Sequence, residues 1–307
     1  MNSLRTDAPS VSIIIVTYNS APIIGACLRS LASLEGDARR LQVIVIDNAS
    51  TDKTREIIRS TSPQVRMIEN KENVGFAVGV NRAFELAESD LLLLVNPDAI
   101  LQADFLLNLT QFMILYPHAG IVGSRLLNEQ GAPQPSCWRT PGLMTVLIEA
   151  LLPYEWSLAL LAASPEASCE VEMVSAACVA VKRHVFEQLN GFDEKFFMYY
   201  EDSDFCLRAR KKGIRVYFCH NASAVHTLRK PAESHTTTFF EHIYRSKMLF
   251  FRKHYRPAYS AIARLVVFSG VLFRIPVYLF AGVVLSNKPW MRLSSYHIAA
   301  LKAVLAA

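Results

Sequence analysis

Three short apolar runs constrain this 307-residue chain more than any other feature: Val11–Val16 (VSIIIV), Gln42–Ile46 (QVIVI) and Leu91–Val95 (LLLLV). Their apolar residues are consecutive rather than alternate, the runs are too short for a core helix, and each breaks off into a polar loop. Such runs read as strands buried on both faces. Helical spacing fills the gaps. Ile23, Ile24, Cys27, Leu28 and Leu31 mark a helix over Pro22–Leu34, with Pro22 at its start. Thr54–Arg59, Gly75–Glu88 and Ala103–Tyr116 read as further helices, and Val65–Ile68 and Gly120–Val122 as further strands. Strands alternating with helices give an α/β fold, a mostly parallel sheet with helices on both faces.

In such sheets ligands bind beyond the carboxyl ends of the strands. Three polar loops fall there: Thr17-Tyr18-Asn19, Asp47-Asn48 and Asn96-Pro97-Asp98. The sequence has no GxGxxG after the first strand and no GxxxxGK[ST], which removes the main support for a dinucleotide or P-loop site. Asp98 can be a hard-cation ligand, with Pro97 stiffening its turn, or an ordinary turn carboxylate. Asp47 can accept a hydrogen bond from a base N–H, and Asn48 adds a donor and an acceptor. Ser50 or Asp52 can cap the helix that follows.

Beyond Leu126 the periodicity weakens as far as Ser168, a stretch with recurring prolines together with Trp138 and Trp156 that reads as an acceptor-side loop or mobile segment. Val171–Val181 then reads as one strand, Lys182–Leu189 as a short helix and Asn190–Asp193 as a turn. Aromatic Phe196–Tyr200 leads into Glu201-Asp202-Ser203-Asp204, ahead of a helix Phe205–Lys212 stopped by Gly213. Arg215–Cys219 is strand-like, and Ala222–His226 follows. Glu201 and Asp202 suit either a helix start or a general base; apolar neighbours raise a carboxyl pKa and a helix N-terminus lowers it. His226 is either a metal ligand or a structural histidine.

Charge divides the chain. Residues 1–204 hold 15 Lys+Arg against 25 Asp+Glu; residues 205–307 hold 17 against 2. The acidic part has carboxylates to spare for a metal, and the basic part suits phosphates or anionic lipid. Nucleic acid is not expected, because no nucleic-acid motif accompanies the basic residues. Six scattered cysteines without a CxxC pair fit free thiols in a reducing cytosol. MNSLRTDAPS lacks a basic region followed by an apolar stretch, so no cleaved signal peptide is expected.

Taken in order, SIIIVTYNS, VIVIDNASTD, NVGFAVGVNRAF, LLLLVNPDAIL and GFDEKFFMYYEDSDFCLRARKKG with the later histidine resemble the inverting GT-A glycosyltransferases of family 2. The pattern is most similar to the rhamnosyltransferase branch, which builds bacterial cell-surface polysaccharides, with galactofuranosyltransferases as neighbours. The resemblance implies a GT-A catalytic domain over residues 1–240, its nucleotide-sugar half about 1–125 and its acceptor half about 126–240, followed by a helical extension over 241–307. It implies single-displacement transfer of L-rhamnose from dTDP-rhamnose, or of galactofuranose, glucose or N-acetylglucosamine from a UDP-sugar, to a saccharide acceptor carried on lipid. A degenerate sugar-nucleotide-binding scaffold is the non-catalytic alternative. By the same resemblance Thr17, Tyr18 and Asn19 line the nucleotide pocket, Asp47 and Asn48 meet the base, and Asn73, Gly75 and Asn81 lie on the donor side. Asp98 takes the metal-binding position, with Asn96 where the family often has a second acid. His226 is the second ligand for Mg2+ or Mn2+, and Asp202 with Glu201 supplies the catalytic base.

Leu265–Leu285 is apolar apart from Arg274 and carries Pro276 two residues on. A span of about 20 apolar residues can cross a bilayer, but a central arginine and a proline favour two half-helices in the interface, with Arg274 at the headgroups. Arg245–Arg256 (RSKMLFFRKHYR) would meet anionic lipid, which puts the protein in the cytoplasm at the inner face of the membrane. Packing on the catalytic domain or on a second copy, hence a homo-oligomer, is the alternative.

Overall fold

The computed structural model describes residues 9–34, 41–227, 237–284 and 288–306. The amino-terminal MNSLRTDA, read above for a leader, and Leu285, the end of the apolar stretch, lie outside the described residues. In chain order the elements begin β1 (Val11–Thr17), α1 (Ile24–Ala32), β2 (Leu41–Asp47), α2 (Thr54–Thr61), β3 (Arg66–Glu69), α3 (Phe76–Phe84), β4 (Leu91–Val95) and β5 (Ala99–Leu101). Next come α4 (Phe105–Leu115), β6 (Ala119–Leu127), β7 (Cys137–Trp138), α5 (Leu143–Leu151), α6 (Tyr154–Leu161), β8 (Ala162–Ala163), β9 (Cys169–Glu170) and β10 (Met173–Val174). The chain continues through β11 (Cys178–Lys182), α7 (Arg183–Gln188), α8 (Glu201–Lys211), β12 (Arg215–His226), α9 (Thr237–His254), α10 (Pro257–Val284) and α11 (Lys288–Ala306).

Two compact units result. The first comprises Met1–Trp138, Ala162–Lys195 and Glu201–Thr227; the second comprises Arg139–Leu161, Phe196–Tyr200 and Leu228–Ala307. The first holds a nine-stranded sheet in the order β3-β2-β1-β4-β11-β6-β12-β5, with β9 also on β12, and a small sheet β10-β7-β8. β3, β2, β1 and β4 run parallel, and β11 is antiparallel to both β4 and β6. The consecutive apolar runs have the cause expected of them: both faces are covered. Ile13, Ile15, Leu91, Leu93 and Val95 face one core, and Ile14, Val16, Leu92 and Leu94 face the other. Fully burying one such side chain stabilises by about 1.5–3 kcal/mol. Helix α3 lies so close to β1 that a Cβ on Gly79 would stand 2.8 Å from Val16 Cγ1.

Four local expectations are corrected. Residues 143–161 are the helices α5 and α6, whose apolar residues are too evenly distributed to show a face in the sequence. Val171–Val181 is two strands, because Met173–Val174 pairs with β7 while Cys178–Lys182 pairs with β4 and β6. Helix α8 starts at Glu201, with Glu201, Asp202 and Asp204 in its first turn, where carboxylates favour the helix dipole. Arg215–His226 is one strand, irregular between Cys219 and Ser223.

The second unit packs α9, α10, α11 and α5 around Val146, Phe251, Ala263, Val267, Val271, Ala300 and Val304. Here the expected pair of half-helices is corrected: α10 is one unbroken helix that includes Pro276. The proline sits on the exposed side, where the carbonyl it deprives of a donor is not sealed in the core. Arg274 also departs from expectation. Its guanidinium donates to the carbonyls of Gly270 (3.1 Å), Glu149 (2.6 Å) and Leu152 (2.8 Å), so it caps the end of α5 instead of reaching outward.

Candidate active site

The loops after β1 and β2 are laced together at the carboxyl edge of the sheet. Asn48 N–H donates to Thr17 O (2.8 Å), extending the parallel ladder past both strands. Asn19 N–H donates to Ser50 Oγ (2.9 Å), Ser20 N–H to Thr54 Oγ1 (2.7 Å), and Thr51 N–H to Asn19 Oδ1 (2.8 Å). Asn19 and Ala49 both take left-handed backbone, with φ of 49° and 59°, which costs an alanine about 1–2 kcal/mol. The carboxylate of Asp47 is fully buried. Its Oδ2 accepts from Ser50 N–H (3.0 Å) and Arg55 Nε (2.5 Å), while Oδ1 has no partner. Arg55 also bridges Glu69 at 3.2 Å.

Thr17 is buried with Oγ1 unpartnered, and Tyr18 is exposed. Five buried side-chain polar atoms lack a partner among the described residues. Three of them belong to Thr17, Asp47 and Glu201. An orphaned buried acceptor costs about 1–3 kcal/mol, and three of the five fall on residues singled out by sequence.

Other expected donor residues are already engaged with the protein. Asn48 Nδ2 donates to Gly75 O (3.0 Å), and its Oδ1 accepts from Asn70 Nδ2 (2.7 Å). Asn73 Oδ1 accepts from Gly75 N–H (3.0 Å), and Gly75, at φ 86°, turns the chain into α3. Asn81 holds the 191–194 turn: Nδ2 donates to Phe192 O (2.9 Å) and Glu194 Oε1 (3.0 Å), and Oδ1 accepts from Phe192 N–H (2.9 Å). Gly191 belongs to this arrangement, since it sits at φ 65° and a Cβ there would be 2.5 Å from Asn81 Oδ1.

The sheet brings Asp98 and His226 together. β5 leaves the Asn96-Pro97-Asp98 turn and pairs with the end of β12 in the register Ala99↔His226. Asp98 O accepts from Thr227 N–H (2.9 Å), and Asp98 Oδ1 lies 3.2 Å from His226 Nε2. Sequence reasoning missed Gln134. Its Nε2 donates to His226 O (2.9 Å), and its Oε1 lies 3.4 Å from His226 Nδ1. In the tautomer with the ring proton on Nδ1, facing Gln134, Nε2 presents a lone pair on the Asp98 side; in the other, Nε2–H donates to Asp98 until a cation displaces the proton. The first is the arrangement in which histidine ligates a metal. One carboxylate and one imidazole, oriented from behind, fit a divalent cation that draws further oxygen ligands from a diphosphate. No cluster of three or more His, Cys, Asp or Glu suited to a metal occurs among the described residues.

The segment between β10 and β11 ties the acidic pair to the same edge. Asn96 N–H donates to Ala177 O (2.8 Å), and the neighbouring Ala176 N–H donates to Asp202 Oδ2 (3.4 Å). Asp202 Oδ1 accepts from Ser203 N–H (2.7 Å). Burial pushes both carboxyls up, Glu201 well above its ordinary value with the Asp202 charge adding to the shift. Each therefore keeps its proton to higher pH than an ordinary carboxyl.

Residues 12–145 match glycosyl transferase family 2, and residues 161–231 match the N-terminal domain of galactosyltransferase. The chain is 30% identical over 231 residues to an N-acetylglucosaminyl-diphospho-decaprenol L-rhamnosyltransferase of Mycobacterium tuberculosis, covering 70% of this chain and 75% of that protein. It is 25% identical over 267 residues to the rhamnosyltransferase WbbL of Escherichia coli, covering 85% and 95%. Among solved structures it resembles a mannosyltransferase from Pyrobaculum calidifontis, determined with GDP-Man and Mn2+, with a TM-score of 0.59 at 20% identity over 98% of this chain and 87% of that one.

Proposed function

We propose that this chain, which belongs to glycosyl transferase family 2 and is a glycosyltransferase, moves L-rhamnose from dTDP-rhamnose to a hydroxyl of a lipid-linked saccharide at the inner face of the cytoplasmic membrane. The observation that carries the site assignment is the Asp98–His226 pair, 3.2 Å apart at the carboxyl edge of the sheet and backed by Gln134. The sugar and the lipid carrier are inferred from the relatives' activities. In this reading residues 1–125 handle the nucleotide sugar and 126–240 the acceptor.

Asp47 Oδ1, buried and unpartnered, accepts the N–H of a pyrimidine base, with Thr17 and Tyr18 beside it. Asn48, Asn73 and Asn81 act one step back, by fixing the Gly75 loop and the 191–194 turn that border the donor. Asp98 and His226 hold Mg2+ or Mn2+, and Asn96 aligns their turn. When bound, the cation neutralises the charge of the departing diphosphate. Asp202 takes the proton from the acceptor hydroxyl as that oxygen attacks; burial keeps its proton affinity high, and its charge in turn raises that of Glu201 beside it. A single displacement needs no enzyme nucleophile, and the site supplies a base in its place.

The test is a panel of dTDP-, UDP- and GDP-sugars with a GlcNAc-diphospholipid acceptor, with and without Mn2+. Transfer from dTDP-rhamnose alone is expected. Transfer from a UDP-sugar in its place would move the assignment to the galactofuranosyl, glucosyl or N-acetylglucosaminyl reading. Binding without turnover of any donor would reduce the chain to a scaffold.

A further inference from the structure

Helix α10 is built inside out. Its stretch Pro257–Phe280, 24 residues long, contains an 18-residue window with a mean hydropathy of 1.8, of which only 22% is buried. Ile262, Leu265, Leu272, Phe273, Val277 and Phe280 are exposed and fall on one side of the helix at its 3.6-residue period. Phe273 and Phe280 are each 71% exposed. The opposite side is packed: Ala263, Val267 and Val271 are buried, and a Cβ on Gly270 would stand 2.7 Å from Ala150 Cβ. The polar residues that would normally face water are turned sideways and consumed. Arg274 caps the end of α5, and Arg264 donates to Leu305 O (2.7 Å) near the end of α11.

The same unit exposes a second set. Met144, Leu147 and Leu151 stand open along α5, and Trp156 and Leu160 along α6. The α10 stripe, a line of exposed apolar side chains along one helix, marks a docking face. Its occupant is indicated by charge. Residues 139–161 and 237–306 of this unit contain eleven Lys and Arg and three acidic residues, of which Glu241 pairs with Arg245 and Glu149 with Lys247. Arg252, Lys253 and Arg256 are exposed just ahead of the apolar stripe. A second copy would bring the same cations against one another. A surface of anionic headgroups over hydrocarbon complements both features at once.

We propose that the α10 stripe lies flat in an anionic lipid surface, with Phe273 and Phe280 in the acyl boundary and Arg252, Lys253 and Arg256 at the headgroups. This rests on the lipid-linked acceptor proposed above and names the lipid contact that would present it. One flank of α10 is packed on α5, α9 and α11, which carry the Lys247–Glu149 pair, so only the other flank is free to enter hydrocarbon, as in a helix lying in the plane of the interface.

The test uses the full chain and sedimentation with vesicles of phosphatidylcholine containing 30% phosphatidylglycerol, beside pure phosphatidylcholine, with phosphatidylglycerol content chosen at about the anionic level where each cation counts. The wild-type protein is expected to sediment with the anionic vesicles. The triple variant R252Q/K253Q/R256Q should lose about 100-fold in partitioning, and Phe273→Ser/Phe280→Ser about 10-fold or more. Both variants alter exposed residues, and both should keep wild-type turnover of a soluble acceptor analogue. Failure of the wild type to sediment, or variants that sediment like it, overturns the proposal. So does a solution dimer that Phe273→Ser/Phe280→Ser dissociates while vesicles stay unbound, which gives the face to a second copy. Vesicle binding without turnover of any nucleotide sugar would leave this surface standing and remove the proposed transfer reaction.

Discussion

Replacing Asp202 with Asn isolates the base from every other function of the site. The side chain keeps its shape, and Asn Oδ1 can still accept from Ser203 N–H, which Asp202 meets at 2.7 Å. The amide nitrogen then faces Ala176 N–H, a donor against a donor, but the bond lost there is long at 3.4 Å and is worth about 1 kcal/mol. Loss of a charge in the first turn of α8 costs about 0.3–1 kcal/mol more. Against both runs the relief of a buried carboxylate whose pKa is raised chiefly by burial. The net change is about 1 kcal/mol, well inside the usual 5–15 kcal/mol of a folded protein. Loss of a positioned base costs about 10²–10⁴-fold in rate, or about 2.7–5.4 kcal/mol of barrier. The assay is nucleotide release under saturating donor and acceptor, with a thermal melt and calorimetric donor affinity on the same preparation. A melt close to wild type, unchanged donor Kd and a fall in kcat of at least about 100-fold are expected. A fall of less than about 10-fold, or loss of donor binding with the fold intact, refutes the role.

Chelation of the cation, or Asp98→Ala, should lower transfer by at least about 100-fold, checked by initial rates with Mn2+ restored. Full activity in excess chelator would remove Asp98 and His226 from metal binding. Gln134→Ala should raise the Mn2+ concentration for half-maximal rate by about 10–100-fold, with kcat recovered at saturation, because the residue orients His226 without touching substrate. The acid limb of the kcat profile should lie above the ordinary carboxylate range, since an acid whose pKa burial raises becomes a base only at higher pH. Glu201→Gln should stabilise the fold by about 1–2 kcal/mol at pH 7. A folded-state pKa raised above the unfolded one means that stability falls as pH climbs from the unfolded value through the folded one, so the gain should vanish below about pH 4 in urea melts.

What could be read from sequence, and what could not, follows from the range of the interactions. β1, β2 and β4 are legible because burial on both faces forces consecutive apolar residues, and their polar ends locate the loops of Thr17, Asp47 and Asp98. α5 and α6 leave no such trace, because their apolar residues are not confined to one side. The meeting of Asp98 with His226 depends on a three-residue register between β5 and β12 that no local pattern encodes; the family resemblance supplied it. Gln134 carries no signal at all, since an amide between two prolines is an ordinary loop residue until β6 and β12 place it behind the imidazole. For Arg274 the cost of the charge was legible but not its remedy, the carbonyls at the end of α5.

The most direct test of the central claim is the anomeric configuration of the first product, read by proton NMR after one turnover of dTDP-rhamnose with the lipid-linked acceptor. Direct attack by a hydroxyl that Asp202 deprotonates inverts the anomeric centre, so the product should carry the configuration opposite to that of the donor. Retention would require a double displacement or attack from the leaving group's own face, and would contradict the assignment of Asp202 as base in an in-line single displacement.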